Sequence, residues 1–131
     1  MNQNPTAADA YRRAALENAP PIKVIRLLYQ GALRFLDEAA AADPATSQRR
    51  FQDRLHRAEA IVVELRISLE KEHAPELCSE LERLYLFVED KLREAVQGRT
   101  VEPITAARSV LNTLYSAWRD IQVDGAKGEA A

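Results

Sequence analysis

Two pairs of residues in this 131-residue chain have the spacing of metal ligands on a helix. Asp53 and His56 form one pair, and Glu70 and His73 form the other. Helical di-iron proteins place a carboxylate and a histidine three residues apart on each of two helices. Here both pairs fall on one predicted helix, about 25 Å apart at 1.5 Å per residue, so they cannot share a metal. We therefore predict no metal site and no cofactor.

The other side chains that could react are few. Cys78 is the single cysteine, which excludes an intramolecular disulfide and a zinc site built from cysteines. We interpret it as a small, partly buried side chain rather than a nucleophile. His56 could accept a phosphoryl group in a helical phosphotransfer module, but a surface histidine explains it better. The sequence has no glycine-rich phosphate loop, HExxH pair or serine nucleophile motif, so we predict no catalytic residues and no enzyme activity.

Charge and hydropathy argue against nucleic-acid and membrane partners. The 18 basic and 20 acidic side chains give a net charge of −2 and are interleaved, so we expect no nucleic-acid binding. A local basic cluster at Arg49, Arg50, Arg54 and Arg57 is interpreted as a solvated helix face. No stretch approaches the roughly 18 to 20 apolar residues of a membrane span. The first ten residues lack the pattern of a signal peptide, so we expect a cytoplasmic protein.

The elements that carry these residues are predicted to be helices. Apolar residues recur at steps of three and four in four long segments, and no period-two run indicates a strand. We predict helices over residues 21–42, 45–71, 75–97 and 100–125. Because short connections make neighbouring helices antiparallel, the predicted fold is all-α, an antiparallel up-and-down four-helix bundle. A short N-terminal helical arm is predicted over residues 10–17.

Several positions within this plan carry specific expectations. A chain of this length suits one domain, which we assign to residues 10–123, with residues 1–9 and 124–131 as flexible termini. Asp43 is the predicted N-cap of the second helix, and Gly98 is the predicted left-handed residue after the third. Gly31, in the middle of the first helix, predicts the close approach of another part of the backbone. The third helix should turn one row inward: Leu77, Leu81, Leu84, Val88, Leu92 and Ala95.

The helices have more apolar surface than a four-helix core needs. On the second helix, Ala60, Val63 and Ile67 line up roughly opposite the core stripe. An exposed apolar row of this kind often marks a partner site or a dimer contact; cover by the N-terminal segment and no role stay open. Further apolar edges are predicted on the first and third helices and on the arm. The residues expected to contact a partner are Tyr11, Leu16, Ile22, Tyr29, Leu33, Ala60, Val63, Ile67, Tyr85 and Leu92.

Four stretches in register resemble the FliS family of flagellar secretion chaperones, over about residues 11–118. Residues 27–32 (LLYQGA) look like the family's M-L-Y-D/N-G-A, and Tyr11 stands 18 residues before Tyr29, as the family's N-terminal tyrosine does. Residues 58–70 are similar to the family's second helix. Matches to its third and closing helices are Leu81, Leu84, Tyr85, Leu92, Ala95, Leu111, Leu114, Ala117 and Trp118.

This resemblance implies a function. The chain would bind the disordered C-terminal segment of flagellin in the cytoplasm, prevent its premature polymerisation and support its export through the flagellar type III apparatus. Components of that apparatus would be further partners, and the chain would be a monomer or a weak homodimer. The arm around Tyr11 would cover part of the binding groove until the client displaces it. The alternative is a self-associating structural bundle without a client, in which the row on the second helix is a dimer contact.

Overall fold

A computed structural model describes the backbone of residues 22–130 and the side chains of residues 22–120. Within residues 22–130 the chain forms four helices and no strand: α1 (Ile22–Ala41), α2 (Gln48–Ile67), α3 (Pro75–Gly98) and α4 (Glu102–Ala130). Each helix packs against its neighbours in sequence, and α4 also packs against α1. The prediction of an all-α four-helix bundle is confirmed. The predicted arm, with Tyr11 and Leu16, and residues 1–9 lie outside the described residues.

The core forms where one apolar stripe from each helix turns inward. The stripe on α2 is regular, since Phe51, Leu55, Ala58 and Val62 are fully buried at steps of four and three. Burial of a large apolar side chain stabilises a fold by about 1.5–3 kcal/mol. The side chains that meet this stripe from the other helices include Leu36, Val88, Leu92, Ile104 and Leu111.

Gly31 allows α1 and α2 to approach closely. A Cβ atom at this position would lie 3.3 Å from Cδ1 of Ile61 on α2, which is tighter than an ordinary van der Waals contact. The sequence predicted close approach of another part of the backbone here. The group that comes close is instead a side chain of the neighbouring helix, so a larger residue would push Ile61 outward.

Both ends of α2 differ from their predicted positions. The helix begins at Gln48 rather than at residue 45, because Asp43 Oδ1 accepts a hydrogen bond from the Ala45 N–H at 2.8 Å and holds a turn. Asp43 therefore caps this turn, and Ser47 occupies the N-cap position of the helix. At the other end, α2 stops at Ile67 rather than at residue 71. There Ser68 closes the helix, because its N–H and its hydroxyl both donate to the Glu64 carbonyl.

The last two helices also end later than the sequence predicted. Gly98 is the final helical residue of α3, and Arg99 adopts the left-handed conformation at φ 50°. The Arg99 and Thr100 N–H groups bond to the Val96 and Ala95 carbonyls, which closes the helix end. Helix α4 continues through Gly125 to Ala130. A glycine costs a helix only about 1 kcal/mol, so Gly125 does not have to end it.

Helix α3 is rotated relative to the predicted inward row. Tyr85 is 2% exposed and Glu89 is fully buried, whereas Leu77 is 60% exposed and Leu84 is half-buried. The polar atoms of Tyr85 and Glu89 find partners on α1 and α2, as described below, so their burial leaves no unsatisfied hydrogen-bonding group. The predicted inward positions of Leu77 and Leu84 are therefore wrong.

Candidate functional site

One end of the bundle opens into an apolar cavity of about 440 Å³. We call this end of the bundle the open end; the α1–α2 and α3–α4 connections lie at the opposite end, which we call the closed end. The walls of the cavity come from the start of α1, the end of α2, the turn that follows α2, the start of α3, and one residue of α4. The lining residues are Ile25, Leu28, Leu65, Ser68, Leu69, Glu70, His73, Leu77, Cys78, Leu81, Tyr85 and Trp118. Pockets of this size and composition suit ligands with apolar groups.

Two polar side chains of the cavity, Cys78 and His73, both contact Glu70. The Cys78 thiol donates to the Glu70 carbonyl at 3.4 Å, and His73 Nε2 lies 3.4 Å from Glu70 Oε1. The thiol is therefore engaged with a backbone carbonyl, whereas a catalytic cysteine needs a base that takes its proton. These contacts indicate a structural role for Cys78, and the cavity offers an apolar surface for binding.

Aromatic side chains close the cavity towards the core. The hydroxyls of Tyr29 and Tyr85 lie 2.5 Å apart, joining α1 to α3 across the bundle. Burial raises the pKa of Tyr29 to about 12, although hydrogen bonds from Tyr85 and from the Trp118 side chain oppose the rise. The centres of the Tyr115 and Tyr29 rings lie 6.3 Å apart, and the Tyr115 hydroxyl accepts a hydrogen bond from the Gln30 side chain. Tyr29 is therefore neutral at ordinary pH and lies behind the cavity wall, where it holds Tyr85 in place.

One side of the cavity mouth, formed by the α2–α3 turn and the start of α3, is acidic. Residues 70–83 contain five glutamates and two basic residues, Lys71 and Arg83. Both basic residues are paired, Lys71 with Glu82 at 3.1 Å and Arg83 with Glu80. A negative excess beside an apolar cavity favours a ligand that carries basic side chains next to its apolar ones.

Four of the residues expected on exposed apolar edges are buried. Tyr29, Tyr85 and Leu92 are 0–2% exposed, and Leu33 is 8% exposed. The predicted exposure of Tyr29, Leu33 and Tyr85 is wrong, because a row that looks surplus on a single helix packs against a third helix in the bundle. The inward position predicted for Leu92 is confirmed. Among the four, only Tyr85 lines the cavity. Ile22, also on the predicted edge, is half-buried at the start of α1.

The predicted row on α2 is largely exposed. Ile67 is 55% exposed, Ala60 is exposed and Val63 is half-buried. The ion pairs Arg66–Glu89 and Lys71–Glu82 set the antiparallel register of α2 and α3. This register places Leu86 of α3, 42% exposed, at the level of Ile67. The row thus extends across two helices, which a pattern read along one helix could not predict.

A buried ion pair that the sequence did not predict lies between α2 and α3. The Glu89 carboxylate is fully buried and accepts two hydrogen bonds from the Arg66 guanidinium, at 2.6 and 3.1 Å. This pairing raises the pKa of Arg66. Arg93 approaches the same carboxylate at 3.6 Å and also contacts Glu59. The only hint in the sequence is a glutamate beside the inward row of α3, and its partner is 23 residues away.

Two further observations concern membrane and metal. Among residues 22–130, no helix combines the length and the apolar content that crossing a membrane requires. The described side chains also bring no three potential ligands of the His, Cys, Asp and Glu types together around a metal-sized space. His56 is exposed in the first half of α2, whereas His73 lies in the turn between α2 and α3.

Comparison with known proteins agrees with the resemblance. Residues 2–125 match the family described as "Flagellar protein FliS". The chain belongs to the FliS family. A relative named "Flagellar secretion chaperone FliS", from Vibrio cholerae serotype O1, is 24% identical over 116 residues. The match covers 86% of this chain and 85% of the relative.

Several residues that carry the FliS resemblance meet beside the cavity. Tyr85 and Trp118 line the cavity, and Tyr29 lies behind them, bonded to Tyr85. Leu92, Ala95 and Leu111 are core residues further towards the closed end. These six residues are therefore packing residues that shape the bundle and the inner side of its cavity.

Proposed function

We propose that this protein is a cytoplasmic export chaperone that binds the disordered C-terminal segment of flagellin. It keeps flagellin from polymerising before export and supports its secretion through the flagellar type III apparatus, without catalysis. The observation that carries the proposal is the apolar cavity at the open end, beside a row of exposed apolar side chains. Membership of the FliS family, and the printed name of the Vibrio cholerae relative, support it.

The physical argument concerns what a disordered client needs. A segment that folds on binding loses conformational entropy, so it must bury a large apolar area in return. The cavity accepts anchoring side chains, and the row from Ile67 to Leu86 extends the contact along α2 and α3. The acidic mouth favours a client in which basic residues flank the apolar anchors. An amphipathic helix satisfies both requirements.

The N-terminal segment is proposed to compete with the client. Helix α1 begins at Ile22, one turn before Ile25 in the cavity wall, so the point where the N-terminal segment joins the helix lies beside the cavity mouth. Their sequence includes Tyr11 and Leu16 as apolar anchors and Arg12 and Arg13 as basic neighbours. Masking would lower the apparent affinity for the client by the fraction of time the cavity is open. Deletion of residues 2–17 should therefore tighten client binding.

Titration calorimetry with the C-terminal segment of flagellin from the same organism tests the proposal. We expect heat of binding, a negative heat-capacity change and a gain in helical circular dichroism. Leu77→Asp, at the cavity mouth, should weaken binding at least tenfold. Phe87→Asp is the matched control, because Phe87 is an exposed side chain of the same helix that does not line the cavity. The absence of any heat of binding and of any gain in helicity would contradict the proposal.

A self-associating bundle without a client is not favoured by the family membership. Sedimentation of the chain alone and with the flagellin segment distinguishes the two functions. The chaperone should sediment as a monomer, or as a weak dimer that the client dissolves. A dimer that persists at nanomolar concentration and excludes the client would point to the structural alternative.

A further inference from the structure

Helices α1 and α2 share an arginine-rich surface near the closed end, away from the cavity. Arg34 and Glu38 of α1 meet four arginines and an aspartate of α2. We call this surface the arginine patch; it consists of Arg34, Glu38, Arg49, Arg50, Asp53, Arg54 and Arg57. Arg54 lies 11 residues, or about 16 Å, along α2 from the cavity residue Leu65. The patch and the cavity are therefore separate surfaces.

The carboxylates of the arginine patch do not balance its guanidinium groups. Glu38 is shared by Arg54 at 2.9 Å, Arg34 at 3.9 Å and Arg50 at 4.0 Å. Asp53 is shared by Arg54 at 2.6 Å and Arg57 at 3.1 Å. Five arginines and two carboxylates leave a local charge of +3 in a chain whose total is −2, so the remainder carries −5. The patch is a positive island on an acidic protein.

An aromatic ring holds three of these guanidinium groups in place. The guanidinium carbons of Arg34, Arg54 and Arg57 lie 5.2, 5.9 and 6.0 Å from the centre of the half-buried Phe35 ring. Contact with a ring restrains an arginine side chain while its N–H groups can still bond to carboxylates. Ring contact therefore reduces the entropy that binding an anion would cost these side chains.

The stability of α2 does not explain this charge. Its first turn contains Arg49 and Arg50 and no acidic residue, and its N-cap Ser47 makes no side-chain capping bond. The N-terminal end of a helix is electropositive, so each basic residue there is unfavourable. Acidic residues would stabilise this turn better. The arrangement instead strengthens the positive potential that faces solvent.

We propose that the arginine patch binds an acidic segment of a partner protein while the open end holds its client. Arg50 and Arg57 are seven residues apart on α2, or about 10 Å, which matches about three residues of extended peptide. Three carboxylates of such a peptide would neutralise the excess charge of +3. A nucleic acid fits less well, because a longer polyanion would extend from the patch onto a molecule that is otherwise acidic.

Nuclear magnetic resonance titration of the full chain with an acetylated hexaglutamate peptide tests this proposal. We expect shifts confined to amides of residues 34–38 and 48–57, and weaker binding when NaCl rises from 50 to 300 mM. Hexaglutamine should leave these amides unshifted. The double variant Arg50→Gln/Arg57→Gln should bind at least tenfold more weakly. The control Arg83→Gln/Arg99→Gln removes the same charge elsewhere and should change affinity less than threefold.

Three results would overturn the assignment. One is an equal loss of affinity in the two double variants, which would mean that only the total charge matters. Another is a set of shifted amides that lies outside α1 and α2. The third is tighter binding of a single-stranded hexathymidylate than of hexaglutamate, which would assign the patch to nucleic acid. None of these results would contradict the proposed chaperone function, because the hexaglutamate experiment contains no flagellin segment.

Discussion

Large apolar side chains at the closed end of the bundle pack into the core, whereas three at the open end are largely exposed. Leu36, Phe51, Leu55 and Ile104 are 0–2% exposed at the closed end. The three most exposed large apolar side chains, Leu27, Ile67 and Leu77, are 55–60% exposed, and all lie in the half of the molecule that contains the cavity.

This difference separates the surface that folds the chain from the surface proposed to bind a client. The buried side chains of the closed end stabilise the packing of the four helices. The open end then keeps apolar area that contributes little to folding and remains available to a partner. If this division holds, substitutions at the two ends should differ sharply in their effects on stability and on binding.

The largest contrast is expected from placing a charge at each end. Leu55→Asp should prevent folding, because it buries an unpaired carboxylate in the closed core. Ile67→Asp should change the free energy of unfolding by less than about 0.5 kcal/mol while weakening client binding about tenfold. Leu65→Asp, which the helical pattern alone predicts to be as damaging as Leu55→Asp, should be intermediate, because Leu65 lines the cavity.

Circular dichroism and urea unfolding of the three variants measure this contrast. Val63→Asp is a second test of the same row and should behave like Ile67→Asp. If Ile67→Asp also failed to fold, the α2 row would be part of the core, and the proposed binding surface would be misplaced.

Truncation without charge should show a smaller contrast in the same direction. Leu36→Ala removes a fully buried side chain of the closed end and should cost about 3 kcal/mol. Leu69→Ala removes a half-buried side chain that lines the cavity and should cost about 1 kcal/mol or less. Equal losses in thermal or urea unfolding would contradict the division into two ends.

Alkaline unfolding tests how well the inner wall of the cavity excludes water. The folded chain holds the pKa of Tyr29 at about 12, above the ordinary value of 10.0, because burial disfavours the phenolate. The stability due to neutral Tyr29 is therefore fully present below pH 10 and is lost as the pH rises through 12. Tyr29→Phe should unfold with a flatter pH dependence between 10 and 12 in urea titrations. Parallel curves for the two proteins would mean that water reaches Tyr29 through the cavity.

The apolar pattern of the sequence was sufficient to predict burial wherever it depends on the periodicity of a single helix. The stripe of α2 and its exposed row follow from periodicity, since Phe51, Leu55 and Val62 are buried and Ile67 is exposed. Sequence patterning failed where contact with a second helix determines whether a side chain is buried. Burial of Tyr85 depends on Tyr29, 56 residues away. The same limit applies to the buried Glu89 and to the cavity, which exists only because four helix ends are placed around it.

The smallest predicted effect lies at the closed end and is stabilising. Arg99 holds the left-handed conformation that ends α3, at φ 50°, where a residue with a side chain is strained by about 1 kcal/mol relative to glycine. Arg99→Gly should therefore raise the free energy of unfolding by about 0.5–1 kcal/mol, with client affinity unchanged. Gly98→Ala is the matched control, because position 98 is helical and a Cβ there would lie 3.3 Å from Thr100 Cγ2. A loss of stability in Gly98→Ala, together with no gain in Arg99→Gly, would instead place the left-handed residue at position 98, as the sequence alone predicted.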